Sequence, residues 1–285
     1  MKEKAKKRDL NFSKTLKMID RSWVSPNSLL VIKDENYGMA ESWKYLIYHT
    51  QFDAAKSLII ANSNQHPVGH KVYRDEDTKE ITYSSQIVEK AYFLRYACIL
   101  LQACGDKLAN LIRLALDIQN WKNEKKKDEE GNLIEEKARE DNTYLNVLRA
   151  HLKITNNTSN LYKWIKEYSK DKSVERINEI ANAIKHRWPK YYQGEGLSPS
   201  KKPIKDIRDP SGKITGKDFS IGSSFVGIDI AEDIKQAKRA NNLFVQLANR
   251  IVAELNFEGF YQRDEEGKRY LDISKAVKRT EKKDS

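Results

Sequence analysis

The sequence contains few cysteines, few prolines and no long hydrophobic run. Its 285 residues include two cysteines and six prolines. Cys98 and Cys104 lie six positions apart in a helical pattern, which turns them about 240° from each other, so we expect two free, buried thiols. No apolar run approaches the roughly 20 residues that a membrane-spanning helix needs, and no apolar segment follows the lysines at the amino terminus. We therefore expect a cytoplasmic protein with no membrane contact.

Residues of the usual metal and phosphate sites are also sparse. His66 and His70, in the stretch "HPVGH", have no cysteine or paired carboxylate at metal-site spacing. The glycine-rich and serine-rich stretch 218–227 lacks the lysine and hydroxyl residue of a phosphate-binding loop, and the helix after it opens with acids that would repel an anion. We expect no metal and no cofactor.

The sequence is rich in basic residues. The formal net charge is +11, which suggests attraction to a polyanion, because clustered lysines and arginines release counterions from a phosphate backbone. Hydrophobic residues make up 39% of the chain, enough for a real core. We expect one domain over 1–285, with its core at about 38–257 and basic, frayed tails at 1–12 and 275–285.

Helical periodicity dominates the chain. Apolar residues recur every 3.6 positions in 38–61, and 84–121 is apolar nearly all round, which predicts a long buried helix that begins at a serine N-cap and breaks near Gly105. Further helical patterns cover 144–152, 160–170, 177–186 and 231–257. Four or five long helices predict a mainly α fold, a helical bundle.

Three short stretches depart from the helical pattern. Residues 71–84, 204–216 and 259–274 each place β-forming residues on both sides of an acidic or glycine turn, which predicts three small β-hairpins on the surface of the bundle. The stretch "KNEKKKDEEGNLIEE", 122–136, is interpreted as a charged, solvated connector.

The helical pattern at 177–186 ends in a polar cluster. Val174, Ile177, Ile180, Ala181 and Ile184 fall on one face of this helix. Asn178, Asn182 and His186 form a row at steps of four on another face. A histidine that titrates near neutrality can take or give a proton, and an asparagine four residues earlier can orient its ring. Asn182 and His186 are therefore the candidate catalytic residues.

The residues that follow mix bases with aromatic rings. Lys185, Arg187 and Lys190 alternate with Trp188, Tyr191 and Tyr192, a mixture that holds single-stranded nucleic acid by stacking and phosphate contacts, so these six residues are the candidate nucleic-acid contacts. A second interpretation stays open, in which the aromatics cover the end of the bundle and the basic residues complement the dipole at a helix carboxyl terminus.

The N-x-x-K-H pattern of Asn182 to His186, at the end of an amphipathic helix in a basic helical chain, resembles the HEPN superfamily. The resemblance implies an up-and-down helical bundle, here with small β-hairpin decorations. It also implies a two-fold homodimer with a composite site where the two motifs meet, and a metal-independent endoribonuclease or toxin. A protein partner such as an antitoxin, and a role in defence, are further implications.

One position departs from the family motif. The family places an arginine before the asparagine, where it steadies the charge on phosphorus, but Ala181 stands here. The sequence therefore leaves open whether the protein is an enzyme. The two alternatives are a HEPN-like protein that binds RNA or nucleotides, with or without ribonuclease activity, and a non-catalytic homodimeric helical interaction module.

Overall fold

A computed structural model describes residues 12–23, 35–64, 71–74, 76, 79, 81–186, 191–195, 205–218, 229–255, 261–263 and 269–271. The fold is mainly helical. Its helices are α1 (Glu35–Asn62), α2 (Ser85–Ala115), α3 (Leu145–Thr155), α4 (Asn160–Lys170), α5 (Lys172–His186) and α6 (Ile230–Glu254). Four antiparallel strand pairs accompany them: β1 (Val72–Arg74) with β2 (Ile81–Ser84), β3 (Asn120–Lys127) with β4 (Leu133–Lys137), β5 (Lys205–Arg208) with β6 (Ile214–Asp218), and β7 (Tyr261–Arg263) with β8 (Arg269–Leu271).

The four longer helices pack around a common core. The helix α1 contacts α2 and α6, and α5 also contacts α2 and α6, so α1 and α5 lie at opposite corners of the bundle. Leucine, isoleucine and alanine side chains fill the interior, and Phe244 of α6 is the largest fully buried side chain. The two cysteines are free and buried in α2, as expected, and burial raises the pKa of both thiols.

The prediction for α2 is confirmed in its position and corrected at three points. The helix ends at Ala115 rather than at 121, and it runs through Gly105 without a break. Ser84 is the N-cap residue, but its side chain makes no capping hydrogen bond. The neighbouring Ser85 hydroxyl instead accepts a hydrogen bond from the Lys71 amide. Gly105 has no positive φ, and the Leu145 side chain at the start of α3 lies beside it.

The three predicted hairpins are present, and the supposed connector 122–136 is a fourth. The chain turns at Asp128, whose carboxylate accepts hydrogen bonds from the amides of Glu130 and Asn132, and Gly131 takes a positive φ of 87°. Cross-strand ion pairs, such as Lys122 with Glu135, satisfy the charges that suggested a solvated connector. The signal that sequence reasoning passed over is this acidic turn closed by a glycine.

Residues 12–23, which the sequence analysis assigned to no element, lie across α1 and α6. Leu16, Ile19 and Trp23 are buried. The amide of Gln51 accepts a hydrogen bond from the Ile19 backbone and donates to Asn241 of α6 over 2.9 Å. Polar residues inside the bundle therefore fasten this segment.

The fourth hairpin is joined to α3 through a buried histidine. The Lys122 amide donates to Nδ1 of His151 over 3.0 Å, and the ring of Trp121 meets the imidazole edge to face at 5.5 Å. Burial, followed by the nearby Lys122 charge, lowers the pKa of His151. The folded protein therefore holds this imidazole in its neutral form, which Nδ1 needs in order to accept.

We expect the free energy of unfolding to fall as pH drops below about 6.5. His151 of the unfolded chain is protonated in this range, whereas His151 of the folded protein, with its lowered pKa, stays neutral. The free energy of unfolding, measured by urea denaturation between pH 7.5 and 5, should decrease toward pH 5. His151→Asn keeps an oxygen acceptor and removes the titration, so its slope in this window should be smaller. His186→Asn, at an exposed histidine, is the control. If it reduces the pH dependence of the free energy of unfolding as much as His151→Asn does, the dependence does not come from His151.

Candidate functional site

The helix α5 carries the site on one face and the core on another. Asp171 directly precedes the first residue of α5. Its carboxylate accepts hydrogen bonds from the Ser173 amide and from the Arg239 guanidinium. Burial opposes ionisation of this carboxyl, but the bonds from Arg239 and Ser173 outweigh it and lower its pKa to about 2. Val174, Ile177 and Ala181 are buried, so the 3.6-residue period of apolar residues sets which side of α5 faces solvent.

The row Asn178, Asn182 and His186 lines a surface groove of about 890 Å³. The groove is bounded by the middle of α2, the first turns of α3, the end of α4 and the length of α5. Its walls carry the following polar and aromatic side chains: Gln102, Asp106, Tyr144, Asn146, Arg149, Tyr168, Ser169, Lys170, Glu175, Asn178, Glu179, Asn182, Lys185 and His186.

Three groove side chains form a hydrogen-bonded chain with one allowed direction. Lys185 Nζ donates to Gln102 Oε1 over 2.8 Å, and Gln102 Nε2 donates to Asn182 Oδ1 over 2.9 Å. An ammonium can only donate, so Gln102 must turn its oxygen to Lys185 and its nitrogen to Asn182. Asn182 therefore uses its oxygen internally, and its Nδ2 donors remain available to a ligand.

This chain differs from the arrangement that the sequence suggested for Asn182. The hydrogen bond of Asn182 goes to Gln102 on a neighbouring helix, and none joins it to His186 among the described side chains. Asn182 and His186 are both exposed at the groove. At this end the Asn182 amide and the Lys185 ammonium offer hydrogen-bond donors, suited to an acceptor-rich group such as a phosphate, beside the Asp106 carboxylate.

The charges of the groove are mixed. Arg149, Lys170 and Lys185 supply three positive side chains, and Asp106, Glu175 and Glu179 supply three negative ones. Burial raises the pKa of Asp106, against the opposing effects of a hydrogen bond from the Leu145 amide and of the Lys185 charge. The groove is therefore no uniformly basic channel, and its attraction for an anion depends on where the donors stand.

Segment 191–195 is tied to the bundle by one ion pair, from Glu195, and by one buried hydrogen bond, from the Tyr192 hydroxyl. Asp233, on α6, accepts two hydrogen bonds from Arg176 of α5, at 2.8 and 2.7 Å, and a third from the Tyr192 hydroxyl at 2.6 Å. Arg95 of α2 forms two 2.7 Å hydrogen bonds to the carboxylate of Glu195. These contacts hold α2, α5, α6 and this segment in one arrangement.

These contacts also fix where Tyr192, one of the residues predicted to stack on bases, lies in the structure. Tyr192 is buried, and burial, followed by its bond to Asp233, raises the pKa of its hydroxyl. Tyr191 lies with its ring 5.4 Å from the Arg95 guanidinium. The placement of Tyr192 corrects the expectation that its ring is offered to a base, and it matches the interpretation in which an aromatic covers the end of the bundle.

Of the other predicted site residues, Asn182, Lys185 and His186 meet in the groove, while Arg187, Trp188 and Lys190 lie outside the described residues. Sequence reasoning missed Gln102, Tyr144, Arg149 and Lys170. Gln102, Tyr144 and Arg149 belong to helices whose sequence separation from α5 hides their proximity, and no local pattern marks them.

The position of Ala181 in the structure does not suit the arginine that the HEPN motif would place there. Ala181 is completely buried against the core, so an arginine could not replace it without displacing packed side chains. Arg176, one helical face away, is committed to Asp233 and Glu179. The guanidinium that lines the groove belongs instead to Arg149 of α3.

No protein-family model, no curated protein and no solved structure matches this chain. Within the described ranges, no group of three or more histidine, cysteine, aspartate or glutamate side chains is placed to hold a metal ion. In the same part of the chain, every helix is too short or too polar to cross a membrane.

Because Asp233 is almost fully buried, we expect loss of its cationic partner to be costly. Arg176→Met should lower the free energy of unfolding by about 3 kcal/mol, since it leaves a buried carboxylate without its counterion. Tyr192→Phe should cost about 1 kcal/mol, the value of one hydrogen bond. Urea denaturation at pH 7 measures both, and the exposed Arg250→Met is the control. If Arg176→Met lowers the free energy of unfolding no more than the control does, the Arg176–Asp233 ion pair does not stabilise the fold.

Proposed function

We propose that this protein binds single-stranded RNA in the groove beside α5, with a phosphate held by Asn182, Lys185 and His186. The observation that carries the proposal is the one-directional chain from Lys185 through Gln102 to Asn182. It leaves donors facing the groove at one point, and a phosphate oxygen is the acceptor that RNA offers to such donors.

The dimensions and the lining of the groove support a nucleotide-sized ligand. Pockets for small ligands typically measure about 300 to 1,000 Å³, and this groove lies in that range. Tyr144 is half exposed on its wall and offers a ring on which an unpaired base can stack. Asn146 and Asn178 offer amides to the edge of such a base.

The charge balance limits the number of phosphates. Three acids share the groove with three bases, so we propose one or two phosphate contacts inside it. The net charge of +11 attracts RNA from a distance without placing it. The candidate contacts Arg187, Trp188 and Lys190 follow His186 directly in the chain and are part of the proposal as its second set of RNA contacts.

We choose RNA over other phosphate-containing ligands because of the resemblance to the HEPN superfamily. The same resemblance is the basis for proposing a role in defence or in a toxin–antitoxin pair. Catalysis is a separable part of the proposal. In it, the 2′-hydroxyl attacks the adjacent phosphorus, the bond to the 5′-oxygen breaks, and His186 transfers the proton, with Asn182 orienting the phosphate. Arg149 is the groove guanidinium that would face the developing charge.

A second candidate function is a non-catalytic homodimeric interaction module. The observation that favours it is the set of large apolar side chains exposed on α1, among them Tyr45, Leu46 and Ile59. Exposed apolar side chains that line one face of a helix are typical of surfaces that another chain covers.

Gln102→Glu tests the direction of the hydrogen-bonded chain. Glutamate has no donor for Asn182, so the Asn182 amide should turn its nitrogen inward and its oxygen toward the ligand. We expect the affinity for a short single-stranded RNA, measured by fluorescence anisotropy, to fall at least about tenfold, since a hydrogen bond to a charged group contributes about 1.5 to 3 kcal/mol.

Ser169→Asp is the matched control, because it adds the same negative charge to the groove without touching the chain from Lys185 to Asn182 or any proposed RNA contact. It should reduce affinity by much less. Equal losses in the two variants would mean that charge alone matters, and no loss in either would place RNA elsewhere.

His186→Ala tests the catalytic part. If the protein cuts RNA in EDTA, the products should carry 2′,3′-cyclic ends, and the variant should be slower by about 10² to 10⁴, the usual effect of losing a positioned proton-transfer group. His186 is exposed, so the variant should keep its stability. Intact RNA after incubation with the wild-type protein would remove the catalytic part and leave the binding proposal in place.

A further inference from the structure

The helix α1 carries two stripes of side chains with the same spacing, one buried and one turned toward solvent, and Tyr45, Phe52 and Ile59 are the apolar members of the second. One stripe faces the core: Ile47, Gln51, Ala54, Leu58 and Ala61 are buried. The other stripe turns toward solvent and consists of Tyr45, His49, Phe52, Lys56 and Ile59, which are exposed or half exposed. We call this second set the outer stripe.

The outer stripe has the pattern of a helix–helix contact. Its members are spaced four, three, four and three residues apart, the heptad repeat by which two helices keep one seam in contact. Tyr45 is 47% exposed and Ile59 is 38% exposed, values at which burial against a second surface removes substantial apolar area from water. Among the described buried apolar residues of α1, all but Ala55 belong to the other stripe.

The rings of the outer stripe stand in order along the helix. The Tyr45 and His49 ring centroids are 4.2 Å apart, and Lys56 Nζ lies 5.0 Å from the centroid of the Phe52 ring. These contacts within one helix hold the side chains in an extended row, which lowers the entropy that a partner must remove from them on binding.

Two charges beside the outer stripe indicate the partner. Asp53 and Lys56 are exposed one helical turn apart, and in the described part of the chain neither forms an ion pair. When two such helices run antiparallel about a two-fold axis that crosses the outer stripe at the level of residues 54 and 55, Asp53 of each faces Lys56 of the other. Because of the two-fold symmetry, the ion pair between Asp53 and Lys56 forms twice, so the outer stripe is complementary in charge to a second copy of itself.

We propose that a second copy of this chain packs its α1 antiparallel against α1, with the two outer stripes as the seam. In this arrangement Phe52 meets the partner's Lys56 and His49 meets the partner's Ile59. The ammonium of Lys56 is then shared between the partner's Phe52 ring and the partner's Asp53, a cation–π contact beside an ion pair.

This interface is independent of the proposed RNA site. The helix α1 lies at the corner of the bundle opposite α5, so the α1 seam leaves both grooves open. It differs from a dimer that joins the rows Asn178, Asn182 and His186, which is what the HEPN resemblance implies. Those side chains are polar, whereas the exposed apolar side chains of the four-helix core are concentrated on α1 and the neighbouring turns of α2.

A charge reversal followed by a charge swap tests the proposal in the full-length protein. Light scattering at micromolar concentration should give twice the chain mass of 33.1 kDa for the wild type. Asp53→Lys places like charges together at two points and should weaken dimerisation at least about tenfold. Asp53→Lys combined with Lys56→Asp should restore it, because each new lysine then faces a new aspartate.

Glu167→Lys, an exposed acid on α4, is the control and should remain dimeric. A wild type with the mass of one chain overturns the proposal. A dimer that Asp53→Lys leaves intact also overturns it and points to another surface, including the α5 row. A double variant that stays dissociated overturns the antiparallel register. RNA affinity measured on the same variants should not change, which separates a failure here from a failure of the proposed RNA site.

Discussion

The position of the site depends on the hydrogen bonds that the buried Asp233 carboxylate accepts from Arg176 and Tyr192. A charge removed from water this completely is tolerated only when donors surround it, and Arg176 and Tyr192 supply them from α5 and from segment 191–195. The three hydrogen bonds join the helix that carries His186 to α6 and to the chain that follows His186. The position of α5 relative to its neighbours, and with it the width of the groove, follows from this pairing together with the apolar face of α5.

The chemistry of the groove follows from a simple rule about donors and acceptors. Lysine cannot accept a hydrogen bond, so the Lys185 ammonium determines the orientation of Gln102 and, through it, of Asn182. A groove with equal numbers of acidic and basic side chains still offers donors to an acceptor-rich ligand through the Asn182 amide and the Lys185 ammonium. The proposed binding of RNA rests on the direction of these bonds rather than on the charge sum.

The periodicity of the sequence predicts much of this structure, since helices with one buried face repeat their apolar residues every 3.6 positions. The helical character, three hairpins, the buried thiols and the position of Asn178, Asn182 and His186 away from the core face of α5 follow from such local patterns. Gln102 and Arg149 do not, because they reach the groove through helix packing across many residues of sequence. The hairpin at 120–137 does not follow from its sequence pattern, because a run of charges favours a solvated connector, whereas in the structure Lys122 pairs with Glu135 and Lys126 with Glu136 across the strands. An aromatic residue among basic ones is compatible both with stacking on a base and with covering the bundle, and only the structure reveals the buried carboxylate that the Tyr192 hydroxyl meets.

The bundle thus presents a polar groove on α5 and an apolar stripe on α1 at opposite corners, and the central claim is that RNA occupies the first of these. Photo-crosslinking of a short single-stranded RNA that carries 4-thiouridine, followed by mass spectrometry of the peptides, locates the bound strand directly. The account predicts crosslinks in the peptides that contain Tyr144 to Arg149 and Asn178 to His186. Crosslinks confined to α1, or spread evenly over the basic surface, would contradict it.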